Sequence, residues 1–315
     1  MQRQLRSLRG HGVIVGLGRV GMTFLEVLRE HDRSVRVLIV ERDVAHKDVS
    51  ERFGVIHVCG DVRSRATLEA MRIEHARAVV LLTSDDLTNL EVAWHAVQAS
   101  PKVKVLAHVA EMRLRKLVSH STPNAALERV RVFNSHRVAA QGLHEEHLAS
   151  LFAETGPRDV VVLAGFGRFG QTILEYLQLE AHGEVQRAIV VDIDADRKRR
   201  IFADQTQGAN GCELVCIDGS IDDPQTWEAV DRAAEDLDVA PVFVICTDDD
   251  ELNLRTAILL RSRWKNVHIS VRCDYRSALT EVLSVEHRFS VLTVDSMLRR
   301  TMAERMGEWT GVGSS

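Results

Sequence analysis

A chain of 315 residues, with 45% hydrophobic and 27% charged residues, is long enough for two domains of about 150 residues and has the composition of globular α/β proteins rather than disordered or fibrous ones. The net charge of −5 provides no globally basic surface, which argues against partners such as nucleic acid or an anionic membrane. There is no run of 18 apolar residues, no apolar signal segment at the N-terminus, and no zinc-like spacing among the five cysteines, so we expect a soluble cytoplasmic protein with free thiols.

In chain order, residues 1–10 are a basic lead-in that we interpret as a solvated linker. The segment 11–134 then alternates β-rich runs with amphipathic stretches, which predicts alternating strands and helices. Runs such as AVVLL at 78–82 are typical of parallel strands buried on both faces. We expect strands near 13–16, 35–41, 55–58, 77–83, 103–109 and 129–132.

A glycine-rich turn opens this segment and returns in the second half of the chain. VIVGLGRVG at 13–21 reappears as VVLAGFGRFG at 161–170, each time as an apolar run, a Gly-x-Gly-x-x-Gly turn and an amphipathic stretch. In such a turn the first glycine permits the tight bend, the second lets the backbone approach a pyrophosphate, and the third lets the helix pack closely on the strand. The repeat therefore predicts two nucleotide-binding folds, although one that has lost its ligand remains an alternative.

An acidic residue stands at the expected end of the second strand in both copies. Glu41 follows VRVLIV in the first copy, and Asp192 follows QRAIVV in the second. A carboxylate there accepts hydrogen bonds from both ribose hydroxyls and repels a 2′-phosphate. Both copies are therefore expected to favour NAD over NADP.

The chain is thus predicted to be α/β, with two tandem Rossmann-like doubly wound parallel-sheet domains joined by a connecting helix. We expect the second copy to end with a strand near 288–293 and a helix from about Asp295 that caps this copy. The predicted segments are the lead-in 1–10, the first domain 11–134, the connecting helix and linker 135–156, the second domain 157–306 and a tail 307–315.

Two groups of side chains raise the question of a metal. His144 and His147 flank two glutamates in the connecting segment, but two ligands at this spacing are too few, so we favour a solvated helix face. The acidic runs 222–223 and 248–251 suit calcium, yet acids that complement helix N-termini explain them with fewer assumptions. We expect neither a metal site nor catalytic residues.

The ordered set of motifs resembles the RCK or KTN nucleotide-binding domain family. In the first copy this set is GLGRVG, the acidic strand end, the pair GD at 60–61 and TSDDLTNL at 83–90. In the second copy it is GFGRFG, TDDDELNL at 247–254 and ISVRCD at 269–274, so the resemblance covers about nine tenths of the chain. Members of that family are ligand-sensing Rossmann domains that regulate potassium channels and Trk- and Ktr-type potassium uptake systems.

The resemblance implies a role for individual residues. Glu41 and Asp192 would hold the ribose, Asp61 would lie by the adenine, and Arg272 would face the phosphates. The end of the fourth strand would contribute Thr83 with Ser84, and Thr247 with Asp248. The phosphates would be cradled by the two turns: Gly16, Leu17, Gly18, Arg19, Val20 and Gly21 in the first copy, and Gly165, Phe166, Gly167, Arg168, Phe169 and Gly170 in the second.

The sequence departs from the family pattern at three points. Ser220 replaces the aspartate of the GD pair in the second copy, and His108 replaces the arginine in the first, so the two sites are expected to differ in affinity or ligand. His108 is expected to be an inert, half-buried histidine rather than a group that titrates near neutral pH. We also recognise no separate C-terminal ligand-binding subdomain of the kind that often follows these domains.

These features favour a regulatory module that binds NAD(H), with ATP or ADP as alternatives, and gates a potassium channel or transporter. Its partner would be a membrane subunit, or a fused pore domain absent from this chain, at the inner face of the plasma membrane; homo-oligomers are expected. An NAD-dependent oxidoreductase or epimerase is an alternative, but both tyrosines, Tyr176 and Tyr275, lack a lysine four residues later. A second alternative is a dimerisation scaffold that binds no nucleotide.

Overall fold

The structure is a computed structural model that describes residues 5, 7–43, 48–115, 129–155, 159–181, 183–206, 211–235 and 239–311. The chain forms two compact units, separated between Ser135 and His136 and again between Met297 and Leu298. Unit 1 contains the N-terminal part of the chain together with the residues from Leu298 onward, and unit 2 contains the part between.

Unit 1 is built on a six-stranded sheet with the order β3-β2-β1-β4-β5-β6, in which every neighbouring pair is parallel. This is the doubly wound Rossmann order. All six predicted strands are found, with small differences at their ends. The elements are β1 (His11–Val15), α1 (Arg19–His31), β2 (Val37–Glu41), α2 (Asp48–Phe53), β3 (Ile56–Cys59), α3 (Arg65–Met71), β4 (Ala76–Leu81), α4 (Asp86–Ala99), β5 (Lys104–His108) and β6 (Val130–Phe133).

Unit 2 repeats this sheet with the order β12-β11-β10-β7-β8-β9, again entirely parallel. Read from β9, the order matches that of unit 1, so the predicted fold class is confirmed. From Ser135 onward the elements in chain order are α5 (Ser135–Leu143), a π-helical turn (His144–Leu148), α6 (Ala149–Thr155), β7 (Asp159–Ala164), α7 (Arg168–Glu180), β8 (Val185–Asp192), α8 (Ala195–Thr206), β9 (Glu213–Asp218), α9 (Pro224–Ala234), β10 (Val242–Ile245), α10 (Asp250–Arg263), β11 (Ile269–Cys273), α11 (Ala278–Glu286), β12 (Ser290–Thr293) and α12 (Val294–Thr310), most of which belongs to unit 1.

The central strands form the cores because both of their faces are covered by helices. In β7 all six residues are buried, and in β1 the residues Val13, Ile14 and Val15 are at most 2% exposed. Continuous apolar strands of this kind stabilise a parallel sheet through burial on both sides. Since parallel strands all end at the same edge, the loops after β1, β2, β4 and β5 converge there.

The last helix differs from its predicted role as a cap on the second copy. From Leu298 onward α12 belongs to unit 1, where the Arg299 guanidinium pairs with Glu26 and Glu30 of α1. The buried Trp309 ring lies 5.4 Å from the Phe133 ring in β6. The helix also extends to Thr310, beyond the start of the predicted tail at 307. An apolar stripe shows that a helix is packed, but not which surface receives it.

Among the described residues, no helix has both the length and the apolar character that a bilayer crossing requires.

Candidate functional site

The turn between β1 and α1 and the first turn of α1 together contain three glycines, two of which the protein itself requires. Gly16 has φ +91°, and a Cβ on it would lie 2.9 Å from backbone atoms of Leu82 and Thr83. A Cβ on Gly21 would collide with the carbonyl oxygen of Gly16. The fold thus demands glycine at these two positions, as it does at Gly165 (φ +104°) and Gly170 in the second copy.

The middle glycine is different, because no part of the described protein explains it. Gly18 has φ −60°, and a Cβ there would meet nothing within 4 Å; a Cβ on Gly167 would likewise meet nothing. Both residues precede a helix with no acidic residue in its first turn and no side-chain cap, which leaves the positive helix end unopposed. This arrangement fits a phosphate group that approaches the backbone closely.

Glu41 ties together the two loops beside this turn. Its carboxylate accepts hydrogen bonds from the backbone N–H of Leu17 at 2.7 Å, of Arg42 at 2.6 Å and of Asp43 at 2.9 Å. These bonds hold the end of β2 against the glycine turn. The carboxylate also lines the cleft between the two loops, where it can accept bonds from a bound sugar.

An open cleft of about 660 Å³ lies at this edge of the unit 1 sheet. Its volume is within the range of small-molecule sites, about 300–1,000 Å³. Nine of the predicted residues line it: Gly16, Gly18, Arg19, Val20, Glu41, Asp61, Thr83, Ser84 and His108. Leu17 and Gly21 do not, since the Leu17 side chain is buried and Gly21 packs against Gly16.

Several lining residues were missed by the sequence reasoning. Arg63 follows Asp61 by two residues and donates to its carboxylate at 2.8 and 3.1 Å, which holds the pKa of Asp61 down at about 2. Asp61 therefore stays ionised near neutral pH. The other missed polar side chains are Arg42, Asp43, Asp85 and Thr88. Their position in the sequence could have identified them, because each lies in the segment that follows the carboxyl end of a strand.

A buried asparagine fixes the far wall of the cleft. Asn89 accepts from the backbone N–H (3.2 Å) and the hydroxyl (2.7 Å) of Thr83, and donates to the carbonyls of Thr83 (3.0 Å) and His108 (2.9 Å). It joins the ends of β4 and β5. Asn253 makes the same contacts with Thr247 and Arg272 in unit 2. Both asparagines therefore hold the turn together and join it to the neighbouring strand.

His108 lies at the end of β5 with its ring against Phe133, at 5.2 Å between centroids. Its Nε2 accepts the backbone N–H of Ser135 at 3.3 Å and lies 3.0 Å from the Ser135 hydroxyl. Burial lowers the pKa of His108, and the charge of Asp86 opposes this only partly. The histidine contributes no positive charge to the cleft at neutral pH.

The second copy has the same framework, but its predicted site residues Asp192 and Arg272 form ion pairs with other side chains of unit 2. The Asp192 carboxylate accepts from the backbone N–H of Phe166 at 2.7 Å and of Asp194 at 3.2 Å, and from Lys198 Nζ at 2.7 Å. Its side chain is only 8% exposed. The acid predicted to hold a ribose is thus already partnered by a cation.

Arg272 and Asp248 form an ion pair at this second strand edge. The Arg272 side chain is 7% exposed and lies over the Phe169 ring at 5.4 Å, whereas that of Asp248 is 91% exposed. Arg272 Nη1 also donates to the Thr247 carbonyl at 3.2 Å, and Nη2 lies 3.6 Å from Asp274. Ser220, the departure from the GD pair, donates to Asp222 at 2.5 Å.

The groups considered for a metal have other partners. His144 contacts Glu184 at 3.0 Å, while the His147 ring lies 6.4 Å from that of His268, so the two histidines do not converge. Asp249 caps α10, as Asp223 caps α9. In the described part of the chain, no three His, Cys, Asp or Glu side chains form a metal-binding group.

Known proteins share this architecture. A Trk system potassium uptake protein TrkA homolog from Pyrococcus abyssi is 25% identical over 105 residues, which are 33% of this chain and 46% of the relative. The chain spans less than half the length of the curated relatives that it matches.

Two of the matching solved structures cover both units. The structure of GsuK bound to ADP superposes with a TM-score of 0.64 at 18% identity, covering 96% of this chain and 70% of the other. The GsuK channel bound to NAD gives a TM-score of 0.66 at 15% identity, with 98% and 68% covered. These likenesses establish a shared fold. The model of the TrkA-N domain matches residues 12–124 and again 161–293, so the chain belongs to the TrkA-N domain family and carries that domain twice.

Proposed function

We propose that this chain is a regulatory module that binds NAD(H) or an adenine nucleotide and thereby controls a potassium channel or transporter. The observation that carries the proposal is Gly18, a glycine that the described protein does not need, placed at an unopposed helix N-terminus beside an open cleft. No residue is assigned a catalytic role, because sensing requires only binding.

The residues around the cleft suit the parts of a nucleotide. The backbone at Gly18 and the first turn of α1 would take the phosphates, with Arg19 beside them. Glu41 would accept the ribose hydroxyls, and its negative charge disfavours a 2′-phosphate. Asp61 would lie near the base. This division favours NAD or ADP over NADP.

Regulation requires that the ligand bind two arrangements of the protein unequally, since a ligand with equal affinity for both shifts nothing. The relatives support a membrane partner of this kind: one is named a potassium uptake protein, and GsuK is a channel whose structures contain ADP or NAD. We propose that the chain acts as a homo-oligomer on the cytoplasmic side of such a partner.

The test is calorimetric titration of the chain with NAD, NADH, ATP and ADP, repeated on Gly18→Asp and Gly167→Asp. A carboxylate at either position would occupy the open space and repel phosphate, so each substitution should remove its own site. Gln98→Glu, on the exposed side of α4, is the control that adds one negative charge to unit 1 away from the cleft.

Loss of one binding site in Gly18→Asp, with binding in Gln98→Glu equal to that of the unsubstituted chain, would support the proposal. If none of the four nucleotides binds the unsubstituted chain, or if Gly18→Asp binds them as well as that chain does, the sensor function is wrong. The scaffold alternative would then be preferred.

A further inference from the structure

The carboxyl edge of the unit 2 sheet corresponds to the edge that holds the first cleft, and we call it the second cleft; the two differ in a coordinated set of residues. Unit 2 has the cation Arg272 in β11, whereas the corresponding strand of unit 1, β5, ends with the neutral His108. The residues around these two positions also differ between the units. Arg272, Asp248, Asp274 and Phe169 in the second copy correspond to His108, Ser84, Ala110 and Val20 in the first.

The cation of the second cleft is paired within its own unit. The Arg272 guanidinium contacts the carboxylate of Asp248 and lies 3.6 Å from that of Asp274. Its Nε is buried and has no hydrogen-bond partner, although the side chain is only 7% exposed. The hydrogen-bonding capacity of this guanidinium is therefore not exhausted by its contacts with Asp248 and the Thr247 carbonyl.

The two members of the pair differ in exposure. The Arg272 guanidinium packs over the Phe169 ring and donates a hydrogen bond to the Thr247 carbonyl, and these contacts fix its position. Asp248 is 91% exposed, and among the described residues its carboxylate contacts Arg272. Because the Asp248 carboxylate is exposed, it can turn into solvent, and the buried Arg272 guanidinium that it leaves then requires another anion.

We propose that Asp248 is a built-in competitor that occupies Arg272 in place of the ligand's phosphates and so lowers the nucleotide affinity of the second cleft. The inference rests on the proposed nucleotide-binding function and adds a difference between the two sites. A phosphate group and the Asp248 carboxylate require the same guanidinium, and binding of one displaces the other. The first cleft, with Ser84 and neutral His108, has no such competition.

The test uses a chain carrying Gly18→Asp, in which only the second cleft can bind, titrated with NAD and ADP. Adding Asp248→Ser, the residue of the first copy, should tighten binding about two- to fivefold. The gain should shrink as salt is raised, because it is electrostatic. In an Arg272→Gln background the same change should have little effect, since the competition acts through Arg272.

Glu251→Gln is the matched control. Glu251 belongs to the same acidic run and is 84% exposed, but it lies near Arg255 at 3.8 Å rather than near Arg272. This variant should bind with unchanged affinity, and thermal melting should show all variants folded.

Unchanged or weaker binding in the Asp248→Ser chain would overturn the inference, as would an equal gain in Glu251→Gln. Binding in neither the parent nor the Asp248→Ser chain would also overturn it, since removing the competitor should reveal the site. The Gly167→Asp chain, which tests the first cleft alone, reports separately on the proposed function.

Discussion

Replacing Gly18 by alanine should separate binding from folding. Gly18 has φ −60° and ψ −175°, a backbone conformation open to any residue, and an added Cβ would meet no atom within 4 Å. Gly18→Ala should therefore leave stability unchanged or raise it by about 0.4–1 kcal/mol, because alanine restricts the unfolded chain. Affinity should nevertheless fall about tenfold or more, since the methyl group displaces a phosphate from charge-assisted hydrogen bonds worth about 1.5–3 kcal/mol each.

Gly16→Ala provides the contrast two residues away. Its φ of +91° costs an L-residue about 1–2 kcal/mol, and a Cβ 2.9 Å from the Leu82 and Thr83 backbone adds a similar steric penalty. We expect a total destabilisation of about 2–4 kcal/mol. Denaturant unfolding would measure stability, and calorimetric titration with NAD and ADP would measure affinity. The reasoning is refuted if Gly18→Ala unfolds as readily as Gly16→Ala, or if it binds both nucleotides at full strength.

Three further predictions concern the wall of the first cleft and the helix that completes unit 1. Asn89→Ala removes bonds to Thr83 and His108 at a fully buried position and should destabilise the protein by about 2–3 kcal/mol in denaturant; a loss below about 0.5 kcal/mol would contradict this role. Burial lowers the pKa of His108, so below about pH 6.5 the unfolded state binds more protons than the folded state. The histidine therefore lowers the free energy of unfolding below this pH but not above it. Unfolding at about pH 7.5 and 5.5 should show a smaller loss in His108→Gln than in the unsubstituted chain, and an equal loss would refute the assignment. Trp309→Ala should cost about 3–5 kcal/mol, because the ring is 3% exposed and packs on Phe133; unchanged thermal melting would show that this contact does not stabilise unit 1.

The carboxylates of the acidic run at 248–251 in the second copy have different partners and different roles. Asp249 caps α10, and Asp250 accepts the backbone N–H of Asp274 at 2.8 Å. Asp248, the first of the run, instead pairs with Arg272. Neighbouring carboxylates point to different partners because successive residues at a helix start project in different directions.

The sequence by itself determined the fold of each half. Unbroken apolar runs such as that before Gly16 must be buried on both faces, and the glycine spacing permits one kind of strand-to-helix turn. The six strands of the first copy and the repeat of this fold in the second copy therefore followed from local pattern. The residues expected around the first cleft were also placed by position, since each follows a strand end. Glu41 and Asp61 are examples.

Only the tertiary structure decided which groups pair across strands. The tie from Asn89 to His108 spans β4 and β5, and the pairing of Arg272 with Asp248 spans β10 and β11; neither partner is adjacent in sequence. The same holds for α12, whose residues from Leu298 onward belong to unit 1 although they follow the last strand of unit 2. Local periodicity specifies which face of an element is apolar, whereas the partner of that face depends on contacts between distant parts of the chain.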